Sequence, residues 1–184
     1  MEPEVLDSSD ARASLWHSGS VVPTGVLVSP DGERSLALPL VTENEDLQDT
    51  LWTNMEAVFE SPARAEILAK AIDTYGVIVF VEGSDPAENA RIQKVAQSVI
   101  ARVGDSLGRL EKEIEKPPVL HVISSVKAAS ETVFLWSLGI DPDAPKEPFM
   151  SVIYARGRQI GQGLNGANID EKWRNSWDLM RKIL

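Results

Sequence analysis

Two stretches of this chain are apolar without alternation, and one long stretch repeats apolar residues every three or four positions. The first, Val77-Ile78-Val79-Phe80-Val81, is the strongest apolar run in the protein. The second is Val119 to Ile123. Short unbroken apolar runs of this length predict strands buried on both faces, as in the interior of a mainly parallel sheet. Between them, Ile92, Val95, Ala96, Val99, Ile100 and Val103 share one helical face while Arg91, Lys94, Gln97 and Ser98 share the other, which predicts an amphipathic helix. Gly104-Asp105 is expected to interrupt it. Charged helix is expected from Leu107 to Lys116, stopped by Pro117-Pro118.

The flanking elements follow from the same reading. Residues 1–18 read as a polar arm, with Leu15-Trp16 as an anchor and His17 on its surface. Residues 20–41 read as a hairpin around Ser29-Pro30-Asp31-Gly32-Glu33, where proline presets φ and glycine accepts a positive φ. Pro39 marks a strand end. Leu47, Leu51, Met55 and Val58 or Phe59 recur at helical spacing within residues 43–59, and Ser61-Pro62 opens a second helix ending near Tyr75-Gly76. After the second apolar strand come a helix over 128–138 capped by Gly139, a proline-rich loop over 140–148, a strand over 150–154, and a short strand over 159–161. The last helix spans about 170–183, with Ile169, Trp173, Trp177 and Met180 as its apolar stripe.

The point where Val77–Val81 ends is where an α/β protein places its chemistry. The chain runs Glu82-Gly83-Ser84-Asp85-Pro86-Ala87-Glu88: sharp turn, then helix start. Capping accounts for these residues, with Ser84 or Asp85 as cap, Pro86 at the first helical position and Glu88 three after Asp85.

From residue 62 the elements run helix, strand, helix, strand, helix, proline-rich loop, hairpin, helix. With a strand of the first hairpin in front, this order resembles the thioredoxin fold over residues 35–184. The resemblance implies a three-layer α/β/α domain with a central mixed sheet over residues 35–184, preceded by an N-terminal hairpin and acidic extension, with residues 1–34 as the arm and first hairpin strand. In that family the central strand leads into Cys-Gly-Pro-Cys. Here Ser84 takes the position of the attacking cysteine, Ala87 that of the resolving one, Pro86 matches the motif's proline, and Gly83 stands where a tryptophan would be. A cis-proline facing the motif is also usual, and Pro148 is its counterpart. The segment between motif and proline is longer than usual, because of the insertion around 104–117.

Composition then removes chemistry. There is no cysteine, so dithiol exchange, thiolate metal sites and iron–sulfur clusters are excluded. The two histidines, His17 and His121, cannot build a histidine metal site, and no cofactor is expected. His121 lies mid-strand and reads as a hydrogen-bonded core residue. What the resemblance implies is a protein-binding module, with a protein partner gripped at Gly83, Ser84, Asp85, Pro86, Ala87 and Pro148.

Charge and motifs bound the alternatives. Net charge is −10, and all of it belongs to residues 1–60, which hold twelve acids and two arginines. No basic excess points to nucleic acid. No apolar run reaches the length of a membrane span, and the start lacks a signal-peptide pattern, so a cytoplasmic protein is expected. Gly161-x-Gly163-x-x-Gly166 matches a dinucleotide fingerprint formally, but 18 residues remain after it, too few for the second strand and its acidic residue. Arg156 and Arg158 flank a turn glycine and read as solvated. The competing enzyme reading is a magnesium-dependent nuclease or phosphotransfer enzyme of Toprim type, with Glu82, Asp141 and Asp143 as its carboxylates.

Overall fold

A computed structural model of the protein describes residues 24–42, 46–107, 116–141, 147–155, 157–166 and 168–169. The chain divides into two compact units, Met1–Glu60 and Ser61–Leu184.

In the first unit, β1 (Thr24–Val28) and β2 (Ser35–Pro39) pair antiparallel, from Thr24↔Pro39 to Val28↔Ser35. The turn works as its residues dictate. Gly32 takes φ +75° and donates to the Ser29 carbonyl at 2.8 Å. Helix α1 (Leu47–Phe59) starts at Asp46, whose side chain accepts from the Gln48 and Asp49 amides. Its apolar stripe is not a core face: Leu47, Leu51, Met55 and Phe59 are exposed, whereas Thr50 is buried. The boundary expected at 34/35 falls inside this hairpin. Among the described residues β1 and β2 pair only with each other, so neither adds a strand to the central sheet.

The second unit is built on β3 (Val77–Val81), whose five residues are all buried. The reason is its place in the sheet, which runs β4-β3-β5-β6 with a further short strand on β5. Strand β4 (Val119–Ile123) lies parallel to β3, and β5 (Phe149–Tyr154) lies antiparallel to it. Strands β6 (Arg158–Gln159) and β7 (Leu164–Asn165) both pair antiparallel to β5. The sheet is therefore mixed, and the protein is α/β.

Helices cover both faces of β3. Val77, Val79 and Val81 pack with Ala63, Ile67 and Ala71 of α2 (Pro62–Asp73) and with Phe134 and Leu135 of α5 (Thr132–Ser137). Ile78 and Phe80 point the other way, against Ile92, Ala96 and Val99 of α3 (Pro86–Ser106), with Ile169. Burying each of the Val, Ile, Leu and Phe side chains among these is worth about 1.5–3 kcal/mol.

Two helix expectations change. Helix α3 runs through Gly104 and Asp105 instead of stopping there. A glycine inside a helix costs only about 1 kcal/mol, which the packed stripe of α3 outweighs. The helix expected over 128–138 begins later, as α5 (Thr132–Ser137), and a separate turn, α4 (Ser125–Ala128), capped by Ser124, precedes it. Glu131, between them, is buried, and its carboxylate accepts from Ser61 Oγ and from the Ala63 amide at 2.8 Å. It thus completes the N-terminus of α2, where Ser61 already accepts from the Arg64 amide at 3.0 Å. Gly139 then ends α5 at φ +95°, as its sequence position predicts.

The stretch 108–115, Arg156 and the last helix with Trp173, Trp177 and Met180 lie outside the described residues, as do Leu15, Trp16 and His17.

Candidate functional site

The turn after β3 is held by a residue the sequence reading passed over. Asn89, in the first turns of α3, donates from Nδ2 to the Gly83 carbonyl at 3.0 Å and accepts the Gly83 N–H on Oδ1 at 2.9 Å. A side-chain amide thus satisfies both the N–H and the carbonyl of one buried glycine. An asparagine six residues after the strand-end glycine was the available signal.

The expected site residues divide by exposure. Gly83 is buried, while Ser84, Asp85, Pro86 and Ala87 are exposed. Asp85 rather than Ser84 caps α3, its Oδ1 accepting from the Ala87 amide at 2.9 Å, and Pro86 occupies the first helical position. Glu88 does not close a capping box. It takes the Arg91 guanidinium instead, at 2.5 and 2.8 Å, and this lowers its pKa below the ordinary carboxylate value.

Sheet register brings the distant half of the expected site to this turn. Val81 pairs with Phe149 as the last antiparallel rung of β3 and β5. Pro148 is the next residue out, so it lies across from Glu82. Pro148 is buried, and its carbonyl accepts from the Gly166 amide at 2.9 Å.

Beside this rung is a cleft of about 520 Å³. Val81, Leu135, Ile140 and Phe149 supply apolar lining, and Glu82, Asp141 and Glu147 line it as well. Ser125, Thr132 and Asn165 add polar groups. None of the six residues expected to form the site lines this cleft, although Glu82 precedes Gly83 and Pro148 lies between Glu147 and Phe149. Spacing alone could not reveal it, since its walls come from the ends of β3 and α5, the entry to β5, and β7.

The glycines that mimic a dinucleotide fingerprint serve this packing. A Cβ on Gly163 would stand 2.1 Å from the Phe149 ring, so only glycine lets the chain pass there. Gly161 and Gly166 take φ of +66° and +46°.

His121 is a core residue, as its strand position predicts. It is buried, and Lys70 Nζ stands 2.8 Å from Nδ1. The ammonium can only donate, so Nδ1 is the acceptor and the ring is neutral. Burial, and then the Lys70 charge, hold the His121 pKa below its ordinary value. The Glu66 carboxylate, 3.8 Å away and more than half exposed, opposes them weakly.

No protein-family model, no curated protein and no solved structure matches the chain. The chemistry must therefore be judged on the residues. Glu82 and Asp141, two of the three carboxylates of the phosphotransfer reading, line the same cleft, but Asp143 lies outside the described residues. Among the described residues, no group of three or more histidines, aspartates or glutamates could hold a metal ion. No helix among them is long and apolar enough to cross a membrane.

Proposed function

We propose that the second unit is a cysteine-free thioredoxin-like domain that binds other proteins through the turn at residues 83–87 and the chain around Pro148. The strand order β4-β3-β5-β6 supports the fold. So do the parallel β3–β4 pair, the antiparallel β5 and β6, and helices α2 and α5 facing one side of the sheet with α3 facing the other. The observation that carries the binding reading is the Val81↔Phe149 rung, which puts Pro148 beside the strand-end turn. That is where this fold grips extended polypeptide, by backbone pairing with side-chain pockets alongside. Disulfide exchange is not available to the chain, because Ser84 and Ala87 occupy the two sulfur positions and no cysteine exists elsewhere.

A display library of random dodecapeptides, panned on the full chain, tests this. Enriched peptides should shift the backbone amides of residues 82–87 and of Glu147 and Phe149 in ¹H–¹⁵N NMR spectra. Ser84→Trp and Ala87→Arg, both at exposed positions, should weaken them about tenfold or more. Peptides that shift another surface, or that bind both variants as tightly as the wild type, would remove this reading.

A further inference from the structure

The cleft beside the turn has a chemistry of its own. Its volume lies within the range of about 300–1,000 Å³ typical of ligand clefts. Val81, Leu135, Ile140 and Phe149 give it apolar walls, and Glu82, Asp141 and Glu147 carry its charge. No lysine, arginine or histidine is among its described lining residues. No hydrogen bond or ion pair among the described residues engages the Glu82 or Glu147 carboxylate, and Glu147 is exposed. An apolar-walled cleft with carboxylates of one sign suits an occupant that is both aliphatic and cationic.

We infer that this cleft receives an arginine or lysine side chain of the extended partner segment. The methylene stem lies along Leu135, Ile140 and Phe149, and the cationic head reaches Glu82 and Glu147. A hydrated divalent ion is the poorer occupant, since half of the walls offer it no ligand. An acidic side chain is repelled by the same carboxylates that attract a base, and a neutral one gains no charge attraction from them. The position fits: Glu147 and Phe149 flank Pro148, and Glu82 precedes Gly83. A segment lying over the turn would pass the mouth of the cleft. The identity of the partner as a polypeptide rests on the reading above. The preference of the cleft for a cationic side chain does not.

The test uses n-butylguanidinium chloride, an arginine side chain with its Cα carbon and no peptide groups, against its neutral isostere n-butylurea, on the ¹⁵N-labelled full chain. The guanidinium should shift the amides of Glu82, Asp141, Glu147 and Asn165 at about five- to tenfold lower concentration than the urea. That preference should shrink as salt rises from low to physiological strength and above. In the Glu82→Gln/Glu147→Gln double variant, the guanidinium should lose its advantage while the urea binds as before. Equal binding of the two probes, shifts at another surface, or an undiminished preference in the double variant would overturn the inference. If the probes fail while display peptides still shift residues 83–87, only the cationic subsite falls. If the guanidinium behaves as expected while no peptide is enriched, the cleft stands and the peptide reading falls.

Discussion

Asn89 closes the turn after the central strand by exchanging two hydrogen bonds with Gly83, at 2.9 and 3.0 Å. Asn89→Ala leaves a buried N–H and carbonyl without their partner. The expected loss is about 1–3 kcal/mol in urea melts, with faster hydrogen exchange of the Gly83 amide. Asn89→Asp keeps the acceptor and loses the donor, and should fall between wild type and alanine. Unchanged exchange at Gly83 in Asn89→Ala would show that the pair does not hold the turn.

Glu131 joins the α4–α5 break to the N-terminus of α2 through Ser61 and the Ala63 amide. Its replacement by alanine opens a buried polar contact between two helices on one face of the sheet. Chemical denaturation of Glu131→Ala should show a loss of about 2–4 kcal/mol, with Glu131→Gln clearly milder because one acceptor oxygen remains. Equal stability of the alanine variant and the wild type would refute this role.

His121 makes stability depend on pH. Its folded pKa is held down by burial and by Lys70, below the value of about 6.5 it regains on unfolding. The unfolded chain therefore binds the proton more readily, and stability falls with decreasing pH in that window. The contribution is fully present above about pH 6.5 and is lost as pH falls toward and through the folded pKa. Urea midpoints at pH 7.5 and 5.5 should differ in the wild type and differ less in His121→Gln. Lys70→Met should move the ring's NMR titration upward, since it removes a repelling charge.

Ser151 lies on the same rung of the sheet as Val79 and His121. Its hydroxyl is the one buried side-chain polar atom without a hydrogen-bond partner among the described residues. Ser151→Ala removes a desolvated group and little volume, so it should leave stability unchanged or raise it by about 1 kcal/mol. A loss above about 1 kcal/mol in the alanine variant would mean that the hydroxyl has a partner.

Gly163 passes under the Phe149 ring, where a methyl group would stand at 2.1 Å. Gly163→Ala must move either the ring or the chain, at a cost of about 1–3 kcal/mol. Because Phe149 lines the cleft, the same variant should also weaken n-butylguanidinium binding. A melting curve and an NMR titration of this one variant report both effects.

Much of the second unit is legible in the sequence because its signals are local. Val77–Val81 is apolar on every residue and is buried on every residue. The α3 stripe packs as its spacing predicts, although the helix outlasts Gly104. Ser61-Pro62 and Asp85-Pro86 open helices, and Gly32 and Gly139 take the positive φ that their turns require. Each of these depends on a few neighbouring residues.

What the tertiary structure decided joins residues far apart in the chain. The first hairpin forms as its turn predicts, but among the described residues neither of its strands joins the central sheet, a matter of partners that no local pattern names. Glu131 precedes α5, and its carboxylate serves the N-terminus of α2, 68 residues away at Ala63. The cleft arises from the Val81↔Phe149 rung and from residues as distant as Glu82 and Asn165. Sequence determined where strands, caps and turns form, since backbone sterics and apolar periodicity act over a few residues. Which carboxylates share a cleft, and which histidine stays neutral, followed only from packing, because burial and charge act through space.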